Sequence, residues 1–230
     1  MPGSPDSISV IIPALNEAAE LTETISRARL SPAIGEVIVV DGGSTDQTRE
    51  LAEGLGCRVL KATGGRGGQL KAGAEAARGD VLLFLHADTW LPAEAGRAAL
   101  DCLREGTVVG GGFWKVFRDG SWLMRGSRAR CALRFWLGRR FMGDQAIFCR
   151  RAVLEAVGGV PAIPLMEEFE LCRRLRQAGR LALAKATVST SARRFRKRGV
   201  LRTYWRMAWV TGRYWMGTPP EQLRKIYERE

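Results

Sequence analysis

The residues best suited to chemistry stand where an apolar run breaks off. Val81-Leu82-Leu83-Phe84-Leu85 is too short for an ordinary globular helix and reads as a strand buried on both faces of a sheet. His86-Ala87-Asp88 follows at once, so the chain's single histidine and a carboxylate sit at the strand's carboxyl end. In open α/β sheets that end faces the ligand crevice. A carboxylate there is placed to hold a divalent cation against a phosphate-bearing substrate. The structural alternative for Asp88 is a cap, helped by Thr89, on the helix after Trp90-Leu91-Pro92.

The preceding elements repeat this plan. Ile8 to Ile12 is a β-branched strand closed by Pro13, with Asn16 as cap of a helix from Glu17 to about Arg29. Glu36 to Val40 is a second buried strand ending at Asp41-Gly42-Gly43-Ser44, and Ser44 caps a helix to about Leu55. Cys57 to Lys61 is a third strand, followed by Gly64-Gly65-Arg66-Gly67-Gly68-Gln69 and a helix from Leu70 to Arg78. Strand and helix alternate four times, the pattern of a parallel sheet with right-handed crossovers. Polar or glycine residues at every strand end are hard to explain by packing alone.

The remainder is less regular: an irregular strand at Val108 to Phe117, a basic helical segment at Trp122 to Leu137, and a strand entered through Gly143-Asp144-Gln145. Ile163 to Gln177 reads as a helix with acidic residues in its first turn, as the helix dipole prefers. Two short strands, at Leu181 to Ala184 and Thr187 to Thr190, precede a basic run from Ser191 to Arg198 and closing helices at Arg202 to Trp215 and Pro220 to Tyr227. The first closing helix interleaves Trp205, Trp209, Tyr214 and Trp215 with arginines. Core or dimer packing is the preferred reading of it, ahead of a membrane surface.

A chain of 230 residues with 46% hydrophobic and 26% charged residues is globular and most simply one domain. Its net charge of +12 favours an anionic partner without choosing among nucleic acid, lipid and phosphorylated small molecules. Cys57, Cys102, Cys131, Cys149 and Cys172 form no C-x-x-C pair, which argues against a disulfide framework or zinc site and for a reducing compartment, the cytoplasm. Neither a secretory signal nor a membrane-spanning run is visible.

Taken together, Ile11-Ile12-Pro13-Ala14-Leu15-Asn16-Glu17, Val39-Val40-Asp41-Gly42-Gly43-Ser44-Thr45-Asp46 and Leu85-His86-Ala87-Asp88 resemble the successive signatures of family 2 glycosyltransferases with the GT-A fold. Gly143-Asp144-Gln145 and Leu165-Met166-Glu167-Glu168 also fit, and the resemblance spans roughly residues 8 to 200. The wording of Gly65-Arg66-Gly67-Gly68-Gln69, His86-Ala87-Asp88-Thr89 and Ile163-Pro164-Leu165-Met166-Glu167 is closer to the branch associated with selenium and arsenic metabolism. That branch includes selenosugar synthases, which join an activated N-acetylglucosamine to selenophosphate.

The resemblance implies a GT-A, Rossmann-like, mostly parallel sheet flanked by helices. A nucleotide-binding half would span 8–105, an acceptor half 106–198 and C-terminal helices 199–230. It implies that Pro13, Ala14, Asn16, Glu17, Asp41, Gly42, Arg66, Gln69, Lys71, His86, Ala87, Asp88 and Gln145 bind the nucleotide sugar, with Asp41 accepting from a uracil N–H. Gly42 replaces the second aspartate of the family's usual pair. Asp88 is the last carboxylate of its D-x-D motif and would hold Mg²⁺ or Mn²⁺ together with His86, which stands where that motif's first aspartate falls. By the same resemblance Glu168, with Glu167 and Asp144, would be the catalytic group.

A hydroxyl acceptor needs a base, whereas selenophosphate is already a nucleophile and needs positive charge, supplied by Arg193 and Arg194 and by Arg139, Arg140, Arg196, Lys197 and Arg198. The favoured expectation is a UDP-sugar:selenophosphate transferase. An arsenosugar-type or other hydroxyl-acceptor enzyme is the near rival. A basic nucleic-acid-binding module and a nucleotidyltransferase are remoter alternatives, since neither's usual motifs are present.

Overall fold

The structure, a computed structural model, describes residues 7–118 and 122–228. In chain order the elements are β1 (Ile8–Ala14), α1 (Ala18–Ala28), β2 (Ile34–Asp41), α2 (Thr48–Gly54), β3 (Arg58–Lys61), α3 (Gly65–Ala76), β4 (Val81–Phe84), β5 (Thr89–Trp90) and α4 (Ala95–Leu103). They continue with β6 (Val108–Arg118), α5 (Ser127–Gly138), β7 (Ile147–Arg150), α6 (Arg151–Ala156), α7 (Glu167–Ala178), β8 (Arg180–Ser191), α8 (Arg193–Arg198), α9 (Val200–Trp215) and α10 (Pro220–Glu228).

One eight-stranded sheet, ordered β3-β2-β1-β4-β7-β6-β8-β5, runs through both halves of the chain. The first four strands are parallel, as the alternating pattern requires; β7 joins β4 antiparallel, and β6 and β8 run parallel to each other. Alternate residues feed opposite faces. Val10, Ile12 and Leu83 pack with Leu21, Ile25 and Phe148 on one side. Ile11, Val40 and Leu82 pack with Leu70, Cys149, Cys172 and Leu175 on the other. Both cysteines are therefore core residues, and burial pushes their thiols up to about 12.

Several elements differ from the sequence reading. Residues 180–191 form a single strand, β8, because continuous pairing with β6 carries it across a register shift at Phe113/Trp114. The glycine segment is the first turn of α3 rather than a loop, with Gly64 in the left-handed region at φ 89° closing the turn before it. Neither Asn16 nor Ser44 caps a helix. Asn16, at φ 55°, accepts from the Thr45 N–H through Oδ1, and its own N–H donates to Ser44 Oγ at 2.9 Å. The two residues thus tie the β1 and β2 loops to each other. Asp88 caps nothing either, since α4 starts only at Ala95. Residues 163–166 stay outside α7, held apart from it by Met166 at φ 67°.

Candidate active site

Parallel strands deliver their carboxyl ends to one rim: Ala14 lies opposite Asp41, Asp41 opposite Lys61, and Phe84 beside Ile11. The antiparallel β7 starts at that same rim, with Ile147 opposite Phe84, so the turn Gly143–Gln145 stands beside His86. A Cβ on Gly143 would meet His86 Nε2 at 2.3 Å, so only glycine leaves room there. At its end β8 pairs Thr190 with Thr89 and Ser191 with Arg118, which carries Arg193 and Arg194 to the rim as well.

Two clefts result. One, of about 580 Å³, is bounded by Asp41, Gly42 and Lys61. The other, of about 370 Å³, brings together Pro13, Ala14, Glu17, Arg66, Gln69, His86, Ala87, Asp88, Arg193 and Arg194. Residues from four separate stretches of sequence thus meet in one cleft. Leu15, Pro164, Leu165 and Arg224 line it too; the first three lie inside the motifs given above without being marked out by them, and nothing in the sequence signalled Arg224. Arg66, His86 and Arg194 also bound a narrow pocket of about 100 Å³ that contains Asp144 and Glu168.

Charge pairing organises these clefts. Arg66 bonds the carboxylate of Glu167, approaches Glu168 Oε2 at 3.3 Å, and donates to His86 Nε2 at 3.3 Å. Enclosure and the Arg66 cation hold the imidazole's pKa down to about 3, so His86 is neutral. Glu168 is buried beside Glu167, and that desolvation and like charge raise its pKa to about 7 against the pull of Arg66. Lys115 Nζ meets Asp144 Oδ2 at 2.6 Å; burial opposes the charge on Asp144, but the lysine wins and keeps the carboxyl below its usual range. Asp144 Oδ1 and Glu167 Oε2 are buried without a hydrogen-bond partner among the described residues. A lysine inside the apolar run of β6 was the one sequence signal for Lys115.

Arg193 pairs with Glu17 and reaches Asp88 Oδ2 at 3.4 Å. Burial raises the pKa of both carboxyls despite that cation. The backbone carbonyls around Asp88 are pinned: Thr24 Oγ1 donates to Ala87 O at 2.7 Å, while Arg118 and the Ser191 N–H donate to Asp88 O. Asp41 accepts from the Gly43 and Ser44 N–H groups and keeps lone pairs for a further donor.

Three expected ligand contacts take other work. Gln69 is buried and donates to Ala14 O and Val40 O, both at 2.8 Å, so it clamps the ends of β1 and β2. That clamp explains Gly42, whose Cβ would lie 2.9 Å from Gln69 Nε2. Lys71 faces Glu75 at 3.9 Å, one turn along α3, and lines neither cleft. Gln145 is buried away from both, donating to Phe113 O and accepting from Arg134. Arg139 and Arg140 lie over Phe135 and Trp215 rings, away from the charged cleft. The closing helix is not core: Trp205, Trp209 and Trp215 are exposed.

The sequence profile described as "Glycosyl transferase family 2" matches residues 9–157, more than half of the chain. The chain belongs to glycosyltransferase family 2. It is 36% identical to glycosyltransferase AglJ of Haloferax volcanii, over 45% of this chain and 34% of that one. It is 34% identical to an undecaprenyl-phosphate 4-deoxy-4-formamido-L-arabinose transferase of Pseudomonas paraeruginosa, over 51% and 38%. A PGL/p-HBAD biosynthesis glycosyltransferase of Mycobacterium bovis is 35% identical over 65% and 61%. The chain thus spans between a third and three fifths of the length of these curated relatives.

Solved structures share its fold, GT-A. Mannosyltransferase PcManGT from Pyrobaculum calidifontis, in complex with GDP-Man and Mn²⁺, has a TM-score of 0.68 at 22% identity over 91% of this chain and 62% of that one. S. aureus TarS 1-349 in complex with UDP has a TM-score of 0.66 at 19% identity over 80% and 60%.

The donor set suits a hard divalent cation through one residue. Among the described residues no three His, Cys, Asp or Glu side chains form a metal cluster. His86 Nε2 already accepts from Arg66, which can only donate. Among the described residues the cleft wall carries two carboxylates, Glu17, which Arg193 holds, and Asp88; a single carboxylate completed by substrate phosphates is a common arrangement for such ions. No helix among the described residues is long and apolar enough to cross a membrane.

Proposed function

We propose that this glycosyltransferase moves a hexose, N-acetylglucosamine or glucose, from a UDP-sugar to a hydroxyl acceptor, with Glu168 as general base. The observation that carries the acceptor assignment is Glu168 itself: a buried carboxyl, its pKa raised to about 7, in the pocket that adjoins the donor cleft. A base tuned to neutral pH serves a hydroxyl nucleophile and does nothing for an anion already deprotonated.

Asp41, a carboxylate with lone pairs to spare in the neighbouring cleft, suits a uracil N–H, and the diphosphate belongs in the cleft that Arg66, Arg193 and Arg194 line. A divalent cation held at Asp88 would supply further charge to the leaving diphosphate, and the relatives solved with Mn²⁺ support that reading. The acceptor oxygen gives its proton to Glu168 and attacks the anomeric carbon. The C–O bond to the diphosphate breaks and UDP departs with the electron pair. Single displacement inverts the anomeric centre.

Selenophosphate remains the second reading, supported by the wording of the motifs and by Arg193 and Arg194 at the cleft. One experiment separates the two: incubate with UDP-N-acetylglucosamine and each acceptor class, following UDP release and product mass. Glu168→Gln is expected to lower hydroxyl transfer by about 10²–10⁴-fold with nucleotide affinity kept. Selenosugar formation at an undiminished rate in that variant would overturn the hydroxyl assignment.

A further inference from the structure

We infer that the acceptor's hydroxyl is carried on an apolar body, and that this body occupies a cavity between β6, α5 and α9. The inference rests on the transferase reading above and names the acceptor class of the same site.

The cavity measures about 450 Å³. Its wall is built from Phe117, Met142, Phe169, Phe195, Met207 and Trp215, and no carboxylate of the described residues lines it. Each cation on its wall has a partner. Lys115 is paired with Asp144, Arg130 with the Tyr204 hydroxyl at 2.7 Å, and Arg134 with Gln145 Oε1 at 3.0 Å. Arg140 stacks on Trp215, 4.9 Å from the ring centroid. The apolar part of the wall gives an alkyl or isoprenoid chain a surface of its own kind.

Position ties this cavity to the chemistry. The narrow pocket holding Glu168 and Asp144 shares Met142, Phe169, Met207 and Thr211 with the cavity. On its other side it shares Arg66, His86, Leu165 and Arg194 with the donor cleft. A hydroxyl at the inner end of an apolar chain therefore arrives at Glu168, with the buried, unpartnered Asp144 Oδ1 beside it to accept a hydrogen bond. The outer end opens on an apolar rim. Leu137 and Trp215 line the cavity yet are 79% and 62% exposed, and neighbouring Trp136 and Met216 are each 73% exposed. Apolar surface of this extent, continuous with a cavity, marks a place where an amphiphile enters.

The test uses n-alkyl β-D-glucosides from methyl to decyl, below micellisation, with binding followed by tryptophan fluorescence and transfer by UDP release. Affinity is expected to rise about fourfold per methylene, the equivalent of ~0.8 kcal/mol, until the cavity is full. An affinity independent of chain length overturns the inference. Gly212 lines the cavity on α9, and a Cβ there meets nothing within 4 Å, so Gly212→Phe adds a ring without a clash at its root. This variant, or Gly212→Leu as the milder form, should abolish the chain-length gain while UDP affinity holds; a gain that survives both also overturns it. If long chains bind tightly and no acceptor is ever glycosylated, the cavity assignment stands and the transferase reading falls. Offering the same glucosides in vesicles of phosphatidylcholine and phosphatidylglycerol tells a membrane source from a dissolved one: faster transfer from vesicles supports the former, faster transfer from solution the latter.

Discussion

Arg66 is the residue on which the reactive groups converge. It bonds Glu167, approaches Glu168 and donates to His86, so one guanidinium touches all three neighbours. Burial keeps His86 neutral with the help of the Arg66 charge, and that charge opposes, without cancelling, the burial and like charge that raise Glu168. The sign of the pH dependence follows. Below about pH 7 Glu168 holds its proton and no base is available, so kcat/KM for a hydroxyl acceptor should climb through that value and then level off. Glu167→Gln removes the like charge and should move the midpoint to lower pH. A profile flat from pH 5 to 9 would count against Glu168 as base. Stability runs the other way for this group: its native pKa exceeds the ordinary 4.5, so its contribution declines as pH rises between the two values.

At the scale of elements, the base is positioned by a contact between α3 and the loop that precedes α7. Gly67 lies in the first turn of α3, and a Cβ there would stand 2.4 Å from Ile163 O and 2.9 Å from Pro161 O. This approach fixes the loop that leads through Leu165 and Met166 into Glu167. Gly67→Ala must push that backbone away, and should cost about 1–3 kcal/mol in urea unfolding while lowering kcat more than nucleotide affinity. The β1 and β2 loops are coupled in a similar way, through Asn16, Ser44 and Thr45 and through the Gln69 clamp beneath them. Strand positions, the buried apolar runs and most helices were legible beforehand, because periodicity and β-branched content report local burial. Helix starts were not. A cap is decided by which backbone N–H a side chain reaches, and Asn16 and Ser44 reach each other's loops instead.

For the whole molecule, the two large apolar clusters on the faces of the sheet draw on residues from Ile8 to Val188 and on none from α9 or α10. The closing helices attach through smaller contacts, Val210 and Leu223 against Met166 and Phe169, and Tyr204 against Phe195. A chain ending after residue 198 should therefore still fold and bind UDP, more weakly for the loss of Arg224 from the donor cleft. It should lose transfer by about 10²-fold or more, because α9 forms a wall of both the Glu168 pocket and the apolar cavity. Circular dichroism, UDP titration and a transfer assay on the shortened chain check the three parts. Loss of the fold itself would show that the closing helices are part of the core.

The sequence alone determined the alternation that makes a parallel sheet, the rim where Asp41, His86 and Asp88 stand, and the order of motifs that marks the family. Those are properties of short stretches, where periodicity and strand-end composition speak directly. Tertiary structure decided what long-range geometry must: that Arg66 bridges α3 to α7, that Lys115 in β6 pairs with Asp144, that Gln69 and Gln145 hold backbone carbonyls. It decided the apolar cavity as well. The cavity's wall comes from β6, α5, α7, α8 and α9, and no local pattern reveals that such distant elements face the same space.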